Sequence, residues 1–402
     1  MKSEESQVDL ERVVAGAFRE RFGEAARWIV RAPGRANIIG EHTDYNGGLV
    51  LPFAVAPSVV FAVAPSDDSR VRVASLDFDG DADFALPDAA GSEPAPSGWS
   101  ASVHAVLSEL ARLGHRLEGM RILAGSDVPI GAGLSSSSAF EVAVVLAAQV
   151  RADLSMDDWA IVTCCQGAES RFLGVNSGLM DPFASRFGRE GHALLLDNST
   201  RAWRAVPLTA TWTEDLEFLV IDSGFRRCLA ATGYNQRRSE CEAAVARLQD
   251  AGAPTLETLS DLKLSDLEVA CAVLPELESR RVRHVVEENE RVRAVVAGLE
   301  RGDAVAVGQA LDASHASLRD LFEVSHPGID EWIAELQERD EVLGARIMGA
   351  GFGGSLIALV RRGAARAIRD DLLPIWATRY ATRPRVLCVE PAPGAAVSDV
   401  SP

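Results

Sequence analysis

Residues 34–52 read Gly34-Arg-Ala-Asn-Ile-Ile-Gly-Glu-His-Thr-Asp-Tyr-Asn-Gly-Gly-Leu-Val-Leu-Pro52. Between two apolar runs, the twelve positions from 35 to 46 carry Arg35, Asn37, Glu41, His42, Asp44, Tyr45 and Asn46. A connection between strands rarely needs so many hydrogen-bonding groups, whereas a site that reads the hydroxyls of a small polar ligand does. Carboxylates accept from hydroxyls, Arg and Asn donate, and glycines let the backbone approach closely. A hairpin turn at Asn46-Gly47 accounts for Asn46, Gly47 and Gly48. It leaves Arg35, Glu41, His42 and Asp44 unexplained, and these point to a ligand.

Working outward, 402 residues with 47% hydrophobic content suit two packed domains better than one. No apolar run approaches the ~18 residues of a membrane span. The polar, acidic start from Met1 to Glu11 does not resemble a secretory leader, so a cytoplasmic protein is expected. A net charge of -18 argues against nucleic acid, which needs a basic footprint. An anionic small molecule stays possible if backbone dipoles, a few arginines and a metal hold it. Lys2 and Lys263 are the chain's two lysines, and neither follows a glycine-rich loop, so a Gly-Lys-Ser/Thr phosphate loop is absent. The six cysteines and seven histidines show no metal-finger spacing. No coiled-coil pattern stands out, and a monomer is expected.

A second informative stretch runs Asp127-Val-Pro-Ile-Gly-Ala-Gly-Leu-Ser-Ser-Ser-Ser-Ala139. It leads into Phe140–Val150, apolar nearly all round and therefore a buried helix. Two glycines, four serines and a helix N-terminus can hold a di- or triphosphate without lysine. A plain capped helix after a glycine turn competes with that reading. Asp181, in Met180-Asp-Pro182, is either a helix N-cap or a carboxylate that takes a proton from a hydroxyl nucleophile, with Arg35 as its charge partner. Glu169 lies twelve residues earlier on an expected helix and can hold magnesium with a serine hydroxyl. Gly349-Ala-Gly-Phe-Gly-Gly354 precedes a strand, not a helix, which weakens a dinucleotide reading and favours a tight turn against another loop.

Spacing further predicts helices over 9–22, 99–113, 157–174, 234–250, 280–298, 303–321 and 328–339. Strands are expected around 28–32, 49–54, 59–64, 71–75, 121–124, 193–196, 217–221 and 355–360. Residues 77–98 and 174–188 read as loops, and a domain boundary falls near 197–215.

Taken together, these segments resemble the galactokinase family of the GHMP small-molecule kinases. Besides the three glycine-containing motifs, the resemblance rests on Gln166-x-x-Glu169-x-x-Phe172-x-Gly174 leading to Met180-Asp181, on Tyr234-Asn235 with Arg237-Arg238, and on Leu321-Phe-Glu-Val-Ser325 with Asp330. It implies an α+β fold of two GHMP kinase domains, 1–205 and 206–402, with the active site in the cleft between them. The implied reaction uses ATP and Mg2+ to phosphorylate the anomeric hydroxyl of galactose, giving galactose 1-phosphate. By matching position, Asp181 is implied as catalytic base and Arg35 as its electrostatic partner. Glu41, His42, Asp44, Gly178 and Tyr234 are implied at the sugar. Gly131, Gly133, Leu134, Ser135, Ser136, Ser137 and Ser138 are implied at the phosphates, Trp99 near adenine, and Ser137 with Glu169 at magnesium. Pro182, Met348, Asp222 and Ser138 depart from the family pattern, and Pro182 and Asp222 fall near the implied sugar side. A kinase for a different or modified sugar, and a sugar sensor without catalysis, remain as alternatives.

Overall fold

The computed structural model describes residues 2–88, 96–129, 131–208, 214–225 and 230–400, with side chains at 2–8 and 230–232 left aside. Part of the expected 77–98 loop and part of the expected boundary region therefore lie outside the described residues.

The amino-terminal half runs α1 (Lys2–Phe22), β1 (Trp28–Asn37), β2 (Leu49–Val50), β3 (Pro52–Pro65), β4 (Arg70–Ser75), β5 (Ala82–Ala85), α2 (Ala101–Arg112) and β6 (Met120–Ser126). It continues with α3 (Ser136–Ala152), α4 (Asp158–Ala168), a π-turn (Glu169–Leu173), α5 (Met180–Phe187), β7 (His192–Asp197) and β8 (Trp203–Pro207). Then follow β9 (Leu216–Asp222), α6 (Ala230–Asp250), α7 (Leu267–Ala272), α8 (Glu276–Arg301), α9 (Ala304–Asp320), α10 (Pro327–Gln337), β10 (Val342–Met348) and β11 (Ser355–Arg361). The chain closes with α11 (Ala364–Ala367), α12 (Leu373–Tyr380), β12 (Arg385–Val389) and β13 (Ala396–Asp399).

The described residues form three sheets. One is ordered β13-β1-β3-β6-β4-β5, a second β10-β11-β9-β12, and a third β2-β7-β8. β4 and β6 pair in parallel, while the other named pairings are antiparallel. The last strand, β13, returns to the edge of the first sheet beside β1. No helix among the described residues is long and apolar enough to cross a membrane.

The apolar run of α3 is buried from Ser138 to Ala148 apart from Phe140, as a helix hydrophobic on all faces must be. It lies against β1 and β3 on one side and α2, α4 and α5 on the others. An apolar cluster joins the two halves: Ile38, Leu51 and Phe53 pack with Phe218, Val292 and Met348.

Several elements differ from expectation. The stretch expected to be a loop, 174–188, contains α5, with Pro182 in its first turn, where a missing N–H costs no helical hydrogen bond. β1 continues past residue 32 to Asn37 and so carries Arg35 on a strand. β5, β8, β10, β12, β13, α11 and α12 lacked a clear period in the sequence.

Candidate active site

Register shifts in the β1–β3 pair between Pro33 and Arg35, the irregularity of a β-bulge. Such a bulge re-aims the side chain that follows it. Gly34 is required there: an added β-carbon would meet the Leu134 carbonyl at 2.6 Å. The strand thus reaches the 131–138 loop, and Arg35 N–H donates to Leu134 O at 2.9 Å.

From that position the Arg35 guanidinium makes a two-pronged pair with Asp181, Nε to Oδ1 at 2.7 Å and Nη2 to Oδ2 at 2.8 Å. Its third arm donates to Gly133 O at 2.6 Å. Arg35 is buried, while Asp181 in the first turn of α5 keeps 28% of its side chain exposed. Ser135 Oγ also donates to Asp181 Oδ2. Ser135 precedes α3 in the left-handed region, φ 54°, and does not cap the helix through its side chain. Serine as a side-chain cap is therefore not what the structure shows, and the first-turn N–H groups of α3 stay available to an anion.

A cavity of about 250 Å³ opens beside this pair. Arg35, Glu41, His42, Asp44, Gly133, Ser135, Ser137, Ser138, Glu169, Gly178, Asp181 and Tyr234, all singled out from sequence, line it. Gly349 and Ala350 of the second glycine turn join them. That turn docks on the phosphate loop, since Ser355 Oγ donates to Ala132 O at 2.6 Å.

Glu41 is buried and oriented by a residue the sequence did not reveal. Arg346 on β10 donates through Nη1 and Nη2 to Glu41 Oε1, both at 3.1 Å. Gly349 N–H donates to the same oxygen at 2.8 Å. These bonds leave the lone pairs of Oε2 for a ligand hydroxyl. Arg346 further donates to Ile38 O at 2.7 Å and Asn37 O at 2.6 Å, pinning the segment after β1 to the second sheet.

His42 sits at φ 61°, an uncommon conformation for a bulky residue. Its Nδ1 lies 2.9 Å from Tyr45 Oη. Burial pushes its pKa down to about 3, so the ring is neutral. With Tyr45 and Tyr234 it forms an aromatic wall, the His42 and Tyr234 ring centres 5.4 Å apart and those of Tyr45 and Tyr234 5.2 Å apart.

Asp44 accepts from Tyr45 N–H at 2.9 Å and fills the space beside Gly178. Burial, then the Asp181 charge, pushes its pKa up to about 7. Glu169 opens the π-turn after α4 and accepts from Ser177 Oγ. Burial raises its pKa to about 7, against the lowering effect of Ser177. Low solvation disfavours isolated carboxylate charge, which a cation or ligand donor would relieve.

A second cavity of about 240 Å³ adjoins the first, with Ser137 lining both. Trp99, Phe78, Ser75, Asp77, Ser136 and Phe140 contribute to its wall. Phe78 stacks with Trp99 at 6.2 Å and 18°, and Trp99 Nε1 donates to Gly80 O at 3.3 Å. Gly131 and Leu134 line neither cavity; the Leu134 side chain is in the core and only its backbone faces the loop. Asp222 is also absent from both walls. It is buried and paired with Arg385 at 2.7 Å, and Pro182 likewise lines neither cavity.

Comparison with known proteins agrees with this geometry. Residues 16–65 match the galactokinase galactose-binding signature, 101–189 the GHMP kinases N terminal domain, and 295–375 the GHMP kinases C terminal model. A galactokinase of Roseiflexus sp. (strain RS-1) is 42% identical over 355 residues, covering 88% of this chain and 89% of that protein. One from Streptomyces coelicolor is 39% identical over 386 residues, 95% of this chain and 97% of that protein. The crystal structure of Lactococcus lactis galactokinase complexed with galactose superposes with a TM-score of 0.90 at 29% identity, covering 96% of this chain and 99% of that one. With a site of this chemistry and relatives that match along nearly its whole length, the chain belongs to the galactokinase family of the GHMP kinases and is a sugar kinase.

Proposed function

We propose that this chain transfers the γ-phosphoryl group of ATP to the anomeric hydroxyl of galactose, giving galactose 1-phosphate. The observation that carries the reading is the Arg35–Asp181 pair, which stands where the hydroxyl-lined cavity meets the phosphate loop. On this reading the first cavity takes the sugar and the second takes adenine and ribose. The boundary of the two domains falls near residue 205, with the site in the cleft between them. The enzyme acts as a cytoplasmic monomer on small molecules.

Asp181 accepts the proton of the anomeric hydroxyl as the O–P bond forms. Arg35 and Ser135 fix the orientation of the carboxylate through their hydrogen bonds to it. Phosphoryl transfer is loose, so positioning and charge stabilisation carry most of the catalysis. Arg35 also places positive charge beside the phosphoryl group in flight. Glu41, His42, Asp44 and Tyr234 orient the ring, a positioning effect that supplies much of the rate in such reactions. The free amides at the start of α3, with Gly133 and Ser136–Ser138, cradle the phosphates.

The donor set fits Mg2+. Ser137, which lines both cavities, and Glu169, which lines the first, are hard oxygen donors, and one carboxylate with one hydroxyl leaves room for the water and phosphate oxygens that Mg2+ prefers. When bound, the cation would neutralise phosphate charge. That matters in a cavity walled by Glu41, Asp44, Glu169 and Asp181.

The test is turnover with ATP and Mg2+ across galactose, glucose, 2-deoxygalactose, galactosamine, N-acetylgalactosamine and arabinose, with product read by NMR. Galactose is expected to react fastest, with phosphate on the anomeric oxygen. Turnover of a different sugar alone moves the substrate, and sugar binding with no turnover of any sugar overturns the reaction in favour of a sensor.

A further inference from the structure

Glu141 is 1% exposed, and among the described residues neither of its carboxylate oxygens has a hydrogen-bond partner. Buried polar groups are normally satisfied, and leaving one unsatisfied is costly. An apolar residue would pack in α3 without that cost, so the carboxylate invites a functional explanation.

Its position supplies one. Glu141 follows Ser137 by one helical turn, so both side chains project from the same face of α3. Among its neighbours α3 packs against α4 and α5. α4 runs directly into Glu169, and α5 carries Asp181 in its first turn. The Glu169 and Asp181 charges act on Glu141 and, with burial as the larger cause, raise its pKa. Ser137, Glu169 and Asp181 line the first cavity, while Glu141 lines neither cavity and has nothing to accept from.

We propose that Glu141 is a positioning residue for the divalent cation of the kinase reaction, its carboxylate accepting hydrogen bonds from water in the cation's shell behind Ser137 and Glu169. The inference rests on the proposed function. Groups of this kind orient the donors that touch a metal, and losing one typically weakens metal binding by about 10–100-fold.

The test measures Mn2+ binding by electron paramagnetic resonance in the presence of a saturating non-hydrolysable ATP analogue, on wild type, E141Q, E141M and E169Q. E141Q and E141M are expected to bind Mn2+ about 10-fold or more weakly. Both should bind the metal-free analogue as wild type does. E141M, which removes the unsatisfied group, should also melt no lower than wild type without metal. Wild-type Mn2+ affinity in both Glu141 variants, with weakened binding in E169Q, overturns the inference and leaves the cation site standing. Unchanged affinity in E169Q as well overturns the proposed cation site itself. A lowered melting temperature in E141M with wild-type Mn2+ affinity makes Glu141 structural and also overturns the inference.

Discussion

The carboxylate of Asp44 occupies the space that a β-carbon on residue 178 would need, so the sugar motif and the loop before α5 interlock only because residue 178 is glycine. The contact joins two parts of the cavity wall that are far apart in sequence. It leads to the first prediction. Gly178→Ala must push Asp44 out of place, and small displacements of positioning groups cost about 100-fold in rate. Steady-state kinetics should show sugar kcat/KM reduced by that order, with the KM for ATP little changed. Unaltered sugar kinetics would mean that the interlock plays no part in binding.

Asp44 also sets a pH dependence. Its pKa is raised to about 7 in the folded protein, and that of Glu169 likewise. Unfolded, both return to about 4. Between those values the folded state binds more protons than the unfolded one, so stability falls as pH rises. In the ligand-free enzyme, the stabilisation is full below about pH 4 and is lost by passage through about pH 7. Asp44→Asn removes one of the two groups. Its melting temperature should fall less than wild type's between about pH 5 and about pH 8. Equal slopes would remove Asp44 as a source of the effect.

Arg346 turns a buried glutamate into an oriented one. Arg346→Lys keeps the charge, but its three donors at a single point cannot replace the five bonds of the guanidinium to Glu41, Ile38, Asn37 and Ile347. Hydrogen bonds to charged groups contribute about 1.5–3 kcal/mol, so sugar KM should rise about 10–100-fold. Thermal melting separates this effect from simple unfolding. A variant that stays folded with wild-type KM would show that Glu41 needs no such support.

Trp99 and Phe78 wall the second cavity. Stacking of a base on an aromatic ring is worth about 1–3 kcal/mol. Trp99→Ala should therefore raise the KM for ATP about 5–100-fold and leave sugar affinity in place. Raised sugar KM with normal ATP KM would put the nucleotide elsewhere.

Much of the site could be read from the sequence because its chemistry is concentrated in short runs. Residues 34–52 and 127–139 hold more polar groups and glycines than a turn needs, and α3 announces its burial by being apolar on every face. Other parts had no such signature. Arg346 is one charged residue in an apolar strand, and nothing in its spacing says that it crosses to Glu41. Glycines at 174, 178 and 188 with Pro182 made 174–188 look like a loop, although proline in a first turn is compatible with α5. The serine run suggested helix capping, but Ser135 spends its hydroxyl on Asp181, a partner 46 positions away. Asp222 pairs with Arg385 across 163 positions, a partner that no spacing in the sequence announces.

In the proposed function, Asp181 takes the proton from the sugar hydroxyl that attacks ATP. The most direct measurement is single-turnover phosphorylation of galactose by Asp181→Asn, with sugar affinity determined on the same sample by calorimetry. Asn keeps the shape of the group, and Arg35 retains its bond to Gly133. The account predicts a rate lowered by about 10²–10⁴-fold with sugar affinity within a few-fold of wild type. A variant that binds galactose and phosphorylates it at the wild-type rate would contradict it.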